Sequence, residues 1–345
     1  MNNRRRTVRF KSSPKILSAA AVGGKKEKEG PLSSFFDVHD ETDKFGQRTF
    51  EQAESEMQRI ALNLALSKIK ADPESIQAVF AGDLMNQCTG SSYGLSGFGI
   101  PYFGLYGACS TAAEGLILAG MTVDGGIFGT VASLSSSHNS SAERQFRFPL
   151  EYGSQRPPTA QWTATAAAAF VIGSRDTEEK RSVACLTEAL VGRIVDKGIN
   201  DACNMGAAMA PAAADTLLRY FGENRYSPAD FDLIVTGDLG LEGHSICREL
   251  LLSEGLDLGQ RFSDCGILIY DGEKQDTHSG GSGCGCSASV TAGYILDGFK
   301  SGRFKEVLLV GTGALMSPMS IQQGLSIAGI GHLVRISSAR ESVGN

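Results

Sequence analysis

The run Ala78-Val79-Phe80-Ala81-Gly82-Asp83-Leu84 returns, nearly residue for residue in type, as Leu233-Ile234-Val235-Thr236-Gly237-Asp238-Leu239. Other pieces repeat in the same order. Gly107-Ala108-Cys109-Ser110-Thr111 opens a small-residue helix, and Gly283-Cys284-Gly285-Cys286-Ser287-Ala288 opens another. The apolar run Ile127–Ser133 has its counterpart in Lys305–Gly311. A chain built from two copies of one plan must place them as related units, each burying an apolar face that the other helps to cover. Strands alternating with helices in both copies imply sheets with parallel strands covered by helices, an α/β fold.

The pattern predicts an amphipathic helix over Thr49–Ile69 and strands at Ile76–Phe80 and Tyr102–Tyr106. A helix at Thr111–Val123, broken by Gly125-Gly126, leads to a strand at Ile127–Ser133. In the second copy it predicts a helix at Ala212–Tyr220 and strands at Phe231–Thr236 and Lys305–Gly311. With 345 residues, more than one core unit is expected. The division reads as a basic leader at 1–30, a first half at 31–180 and a second half at 181–345. The leader, rich in Arg and Lys, is either a solvated segment or one drawn to an anionic membrane surface.

A net charge of −6 and a pI near 5.5 argue against nucleic acid as partner, because phosphate binding needs a basic footprint. No apolar run is long enough to span a bilayer. The eight cysteines read as reduced thiols, which suits a cytoplasmic setting. Cys284 and Cys286 lack a second ligand pair at suitable spacing, so neither metal nor cofactor is expected.

Cys109 has the clearest chemical meaning. It stands between a strand and the first turn of a helix, where amide N–H groups and the helix dipole favour negative charge. Thiolate formation is therefore expected, or an anion held in its place by Cys109 and Ser110. The alternative is an inert buried thiol.

These paired turns resemble the thiolase and ketoacyl-synthase superfamily. More narrowly, Ala81–Gln87, Phe103–Thr111, Ser136–Arg147, Met205–Asp215, Asp264–Gly266 and Gly280–Ser287 resemble the stage V sporulation protein AD family. The resemblance implies a thiolase-like fold of two duplicated halves in a five-layered αβαβα sandwich. It also implies binding of pyridine-2,6-dicarboxylic acid (dipicolinic acid), or its calcium chelate, beside membrane channel subunits of one sporulation complex. Uptake during sporulation and release at germination would follow, with the protein cytoplasmic or peripheral at the spore inner membrane. Superfamily members dimerise through a strand after the nucleophile helix, so a homodimer is expected near Ile127–Ser133.

Active members pair the cysteine with histidine or asparagine. Here Gly237, Asp238 and Gly281 stand where such partners are usual, so Cys109 is expected to be a vestigial nucleophile. An active acyltransferase using Cys109, with His244 or His278 as base, is the alternative. For a planar dicarboxylate, the helix start at Cys109 and Ser110 offers one cradle. His138, Arg144, Arg147 and Arg156 are candidates for the other, the arginines because their planar fork suits a carboxylate. Gly281 and Gly283 are candidate points of close backbone approach. Asp83 is either a contact completing a calcium site or a cap for its own turn. Met205 and Met209 are candidates for an apolar wall.

Overall fold

Helix α1 (Phe50–Ser67) shows how sequence becomes a layer in this computed structural model, which describes residues 6–146, 156–174 and 182–339. The Thr49 hydroxyl accepts the Gln52 amide at 3.2 Å and caps the helix. Ala53, Met57, Ala61, Leu62, Ala65 and Leu66 form its buried stripe. That stripe packs on a sheet whose strands are β1 (Lys15–Gly23), β2 (Val79–Gly82), β3 (Tyr102–Leu105), β4 (Thr130–Ser137) and β5 (Ala166–Gly173). The second half supplies β6 (Ala184–Leu190), β7 (Leu233–Thr236), β8 (Phe262–Asp264), β9 (Glu306–Leu315) and β10 (Ala328–Ser338).

The strands run in the order β8-β7-β9-β10-β6-β1-β5-β4-β2-β3. Reading outward from the middle, the two halves match strand for strand. β2 pairs in parallel with β3 and β4, as β7 does with β8 and β9. β5 pairs antiparallel with β4 and β1, as β10 does with β9 and β6. The halves meet where Lys15 and Ile16 pair with Cys185 and Ala184.

Helices α2 (Thr111–Asp124) and α6 (Cys284–Val290) lie between the two sets of strands. Helices α4 (Met205–Glu223) and α5 (Gly240–Ser253) cover the outer face of the second half. Residues of β7 and β9 alternate between the two interiors. Leu233, Val235, Val307 and Leu309 face the middle helices, while Ile234, Leu308 and Val310 face α4. The result is helix, sheet, helix, sheet, helix.

Three expectations change. Residues 6–30 are not a solvated leader, because Lys15–Gly23 is a nearly wholly buried strand and Val8–Arg9 pairs with β6. The basic residues sit at its ends, and from Ile16 to Gly23 the run holds only apolar residues, Ser18 and Gly23. The strand expected at Ile127–Ser133 starts three residues later. The Gly126 turn has a φ of 70°, and Gln77 accepts the Gly129 and Thr130 amides before pairing begins. β4 then continues through Ser135–Ser137, whose hydroxyls are buried and bonded to Cys284 O, Glu54 and Ala164 O. With β2 and β5 on its two sides it cannot be a dimer edge. Helix α3 (Asn139–Phe146) follows β4 directly.

Glu27 fastens the N-terminal segment to the interior. It is 1% exposed and accepts the Thr165 amide at 3.0 Å, the Gly24 amide at 3.1 Å and the Tyr270 hydroxyl. Burial pushes its carboxyl up to about 7. The folded state therefore holds this proton more tightly than the unfolded chain. That contribution is complete below about pH 4 and is lost as pH rises through 7. The difference in unfolding free energy between wild type and Glu27→Gln should change by on the order of 3 kcal/mol across this window. Urea titrations at a series of pH values check it, and parallel pH profiles for the two proteins would contradict it.

Candidate active site and its cavity

The turns after the parallel strands β2 and β3 frame a cavity of about 310 Å³. Its walls come from Leu84 and Asn86 after β2, and from Tyr106, Ala108 and Cys109 after β3. Ala142 and Glu143 of α3, Thr163, Met205 at the start of α4, Ser282 and the stretch from Ala314 to Ser320 complete it. No lysine, arginine or histidine lines it among the described residues.

Cys109 is 6% exposed, in a tight turn that precedes α2, with Ala108 at a φ of 51°. Its thiol faces the carboxylate of Asp238, which the turn after β7 brings from the other half. Asp238 is fully buried. One oxygen accepts the Thr312 hydroxyl at 2.8 Å, and the other accepts the Gly283 amide at 2.8 Å and the Ser282 hydroxyl at 3.3 Å. Burial raises Asp238 to about 6. Burial, then the negative charge of Asp238 and the neighbouring Cys284, pushes the Cys109 thiol well above its ordinary value. Thiolate formation, expected from the helix dipole, is thus opposed. Desolvation and a facing carboxylate outweigh the helix end.

None of the five imidazoles accompanies this sulfur. His138 donates from Nε2 to Asp43 O at 2.7 Å, accepts the Ser140 amide at Nδ1 and lies against Phe50. His244 stacks on Phe262 with ring centroids 4.2 Å apart. His278 contacts Pro157 O and Asp276. His39 bonds to Ser33 O, and His332 accepts the Gly192 amide. At Gly281 a Cβ would stand 2.7 Å from Ile269 Cγ2 and 3.2 Å from Cys286 Sγ, so no side chain fits there without repacking.

The other anticipated contacts separate. The Ser110 hydroxyl turns inward to Gly107 O at 2.6 Å. The Ser110 and Thr111 amides bond to Gly107 O and Ala108 O, so the anion cradle expected there has two of its donors engaged. Asp83 is buried and accepts the Met85 and Ser91 amides and the Ser91 hydroxyl, which makes it the cap of its own turn and not a cavity contact. Gly281 faces the interior, and the amide of Gly283 is held by Asp238. His138 and Arg144 do not line the cavity, and Arg144 pairs with Glu51 at 3.4 Å. Arg147 lies outside the described residues. Met205 is in the wall, whereas Met209 is in the core beneath α4.

A sequence profile described as stage V sporulation protein AD matches residues 4–337. Stage V sporulation protein AD of Bacillus subtilis (strain 168) is 41% identical over 317 residues, 92% of either chain. The chain belongs to the stage V sporulation protein AD family. Among solved structures it is similar to 3-oxoacyl-[acyl-carrier-protein] synthase III from Aquifex aeolicus VF5, at 13% identity. That match covers 94% of this chain and 99% of the synthase, with a TM-score of 0.55. It is also similar to a variant of OleA from Xanthomonas campestris, at 14% identity, 96% and 99% coverage and a TM-score of 0.58. These two likenesses establish the thiolase-like fold of this family member.

The sequence reading put Asp238 where a partner of the cysteine is usual but took it as the loss of one, and did not foresee that its carboxylate faces the thiol. The signal was available: the repeat places it at a strand end opposite the cysteine turn. Glu143 and Cys284, on either side of the sulfur's surroundings, carried no such signal. Among the described residues no group of three or more His, Cys, Asp or Glu is arranged to hold a metal.

The geometry predicts an order of thiol reactivity. Exposed Cys203 should alkylate with iodoacetamide well before Cys109 at pH 8. Asp238→Asn removes the facing charge and should speed modification of Cys109 at fixed pH. Peptide-resolved mass spectrometry reads both. Equal rates at Cys203 and Cys109 in the wild type would contradict the arrangement.

Proposed function

We propose that this family member binds dipicolinic acid, as its calcium chelate, in the cavity beside Cys109 and does not turn it over. One observation carries the reading: the sulfur faces a carboxylate that keeps it a neutral thiol, and every histidine of the chain is engaged elsewhere. Acyl transfer needs a thiolate or a base that makes one. The wall of the cavity favours the chelate over the bare dianion. It offers Glu143, an oxygen ligand suited to calcium, and no cation among the described residues.

The role follows as an accessory one. No helix among the described residues is long and apolar enough to cross a membrane. Movement of the acid across the spore membrane would fall to channel subunits on other chains, with this protein at the membrane periphery. A homodimer, if formed through sheet extension, would use β3, the end strand on the first half. Its Phe103 is 52% exposed, and its outer edge is unpaired among the described strands.

Incubation with an acyl-coenzyme A followed by intact-mass measurement should show no adduct on Cys109. Calorimetric titration with dipicolinate in excess calcium should show saturable binding. An acyl adduct that forms and turns over would replace this reading with an acyltransferase. Absence of saturation would remove the ligand.

A further inference from the structure

Behind Glu143, on the far side of α3 from the Cys109 cavity, lies a second cavity of about 340 Å³. Its walls are Phe50, Asn139, Ser140, Glu143, Arg144, Arg156 and Trp162. Both arginines are laid over aromatic rings. The Arg156 guanidinium carbon is 4.9 Å from the Trp162 centroid, and that of Arg144 is 5.7 Å from the Phe50 centroid. A guanidinium beside a ring has its position restricted, and its planar fork can grip a carboxylate through two parallel bonds once weak surface partners give way. Arg156 is the more committed of the two. Its side chain is 12% exposed, Nη2 donates to the carbonyl and carboxylate of Asp276, and Nη1 is buried with no hydrogen-bond partner among the described residues.

The surrounding charge adds to this. Lys26 Nζ stands 4.4 Å from the same Trp162 centroid, so one indole carries two cations. Opposing them are Asp276, 78% exposed, Glu51, partly exposed, and Glu143 in the shared wall. Ion pairs this open to water are weak and give way to a ligand that brings its own charge. An uncompensated buried N–H, in contrast, persists until something accepts from it.

We propose that this slot is a capture site for a rigid, planar dicarboxylate in its metal-free form, one carboxylate on Arg156 and the other on Arg144. It rests on the reading above in that such an acid is the cargo, but it assigns the free acid to a place separate from the Cys109 cavity. Phe50 and Trp162 give the slot aromatic walls for the ring of such an acid, and Glu143 stands in the wall shared with the inner cavity.

Trp162 is the sole tryptophan in the chain, so its fluorescence, excited at its red edge, reports on this slot alone. In calcium-depleted buffer, pyridine-2,6-dicarboxylate and isophthalate should each quench it saturably, at least about tenfold more tightly than benzoate. Arg156→Lys and Arg144→Lys keep the charge and lose the fork, and each should weaken binding about tenfold. Ala142→Phe, which fills the Cys109 cavity, should leave the titration unchanged, and melting curves for each variant certify the fold. No saturable quenching in the wild type, equal affinity for benzoate or inorganic phosphate, or indifference to both lysine variants overturns the proposal. Calcium-loaded calorimetry judges the inner cavity independently, so either assignment can fail without the other.

Discussion

The contact between the Cys109 thiol and the Asp238 carboxylate is the constraint around which the centre of this molecule is arranged. Each partner comes from a different copy of the repeat. Asp238 accepts from three donors, Thr312 in β9 and the adjacent Ser282 and Gly283 just before α6, and it faces the sulfur in the turn after β3. One desolvated carboxylate thereby ties β9 and the segment before α6 to its own turn and governs the protonation state of the sulfur. A carboxylate buried this deeply is tolerated only with such a set of partners, and removing any one of them leaves charge or donor unmatched.

The two copies of Gly-Asp-Leu also show how duplicated sequence comes to serve different ends. Asp83 turns back on its own segment and caps the short helix that follows. Asp238 is relieved of that duty because Asp264, from β8, takes the Leu239 and Gly240 amides and the Thr236 hydroxyl. A third carboxylate does the local work, and the second is free to reach across the interface between halves. Like residues at like positions differ here because their neighbours do.

That divergence marks how far the sequence could be read. The duplication, the strand-turn-helix order and the helix over residues 50–67 follow from periodicity and turn residues, and the structure bears them out. β1 was hidden behind the basic residues around it, though its own apolar run was plain. Ser135–Ser137 looked like loop because hydroxyls count as polar in a pattern, while in the structure they are buried against Glu54 and backbone carbonyls. Within the site, Cys109 was legible from its glycine-framed turn. Asp238 was placed at a strand end where a partner is usual, but that its carboxylate faces a sulfur 129 residues away follows only from the packing of both halves.

The middle apolar cluster draws on residues from Phe10 to Ile336. Among the described residues, strand pairing between the halves is limited to three two-residue ladders, at Val8–Arg9, at Lys15–Ile16 and at Trp162–Thr163, so the shared apolar interior supplies most of what joins them. A nascent chain emerging from the ribosome thus cannot complete its interior until nearly its last strand is out. Until then the inner face of the first half stays wet, or waits under a chaperone. Assembly of such a protein is a late, all-at-once event, governed by long loops closing and not by local structure forming early.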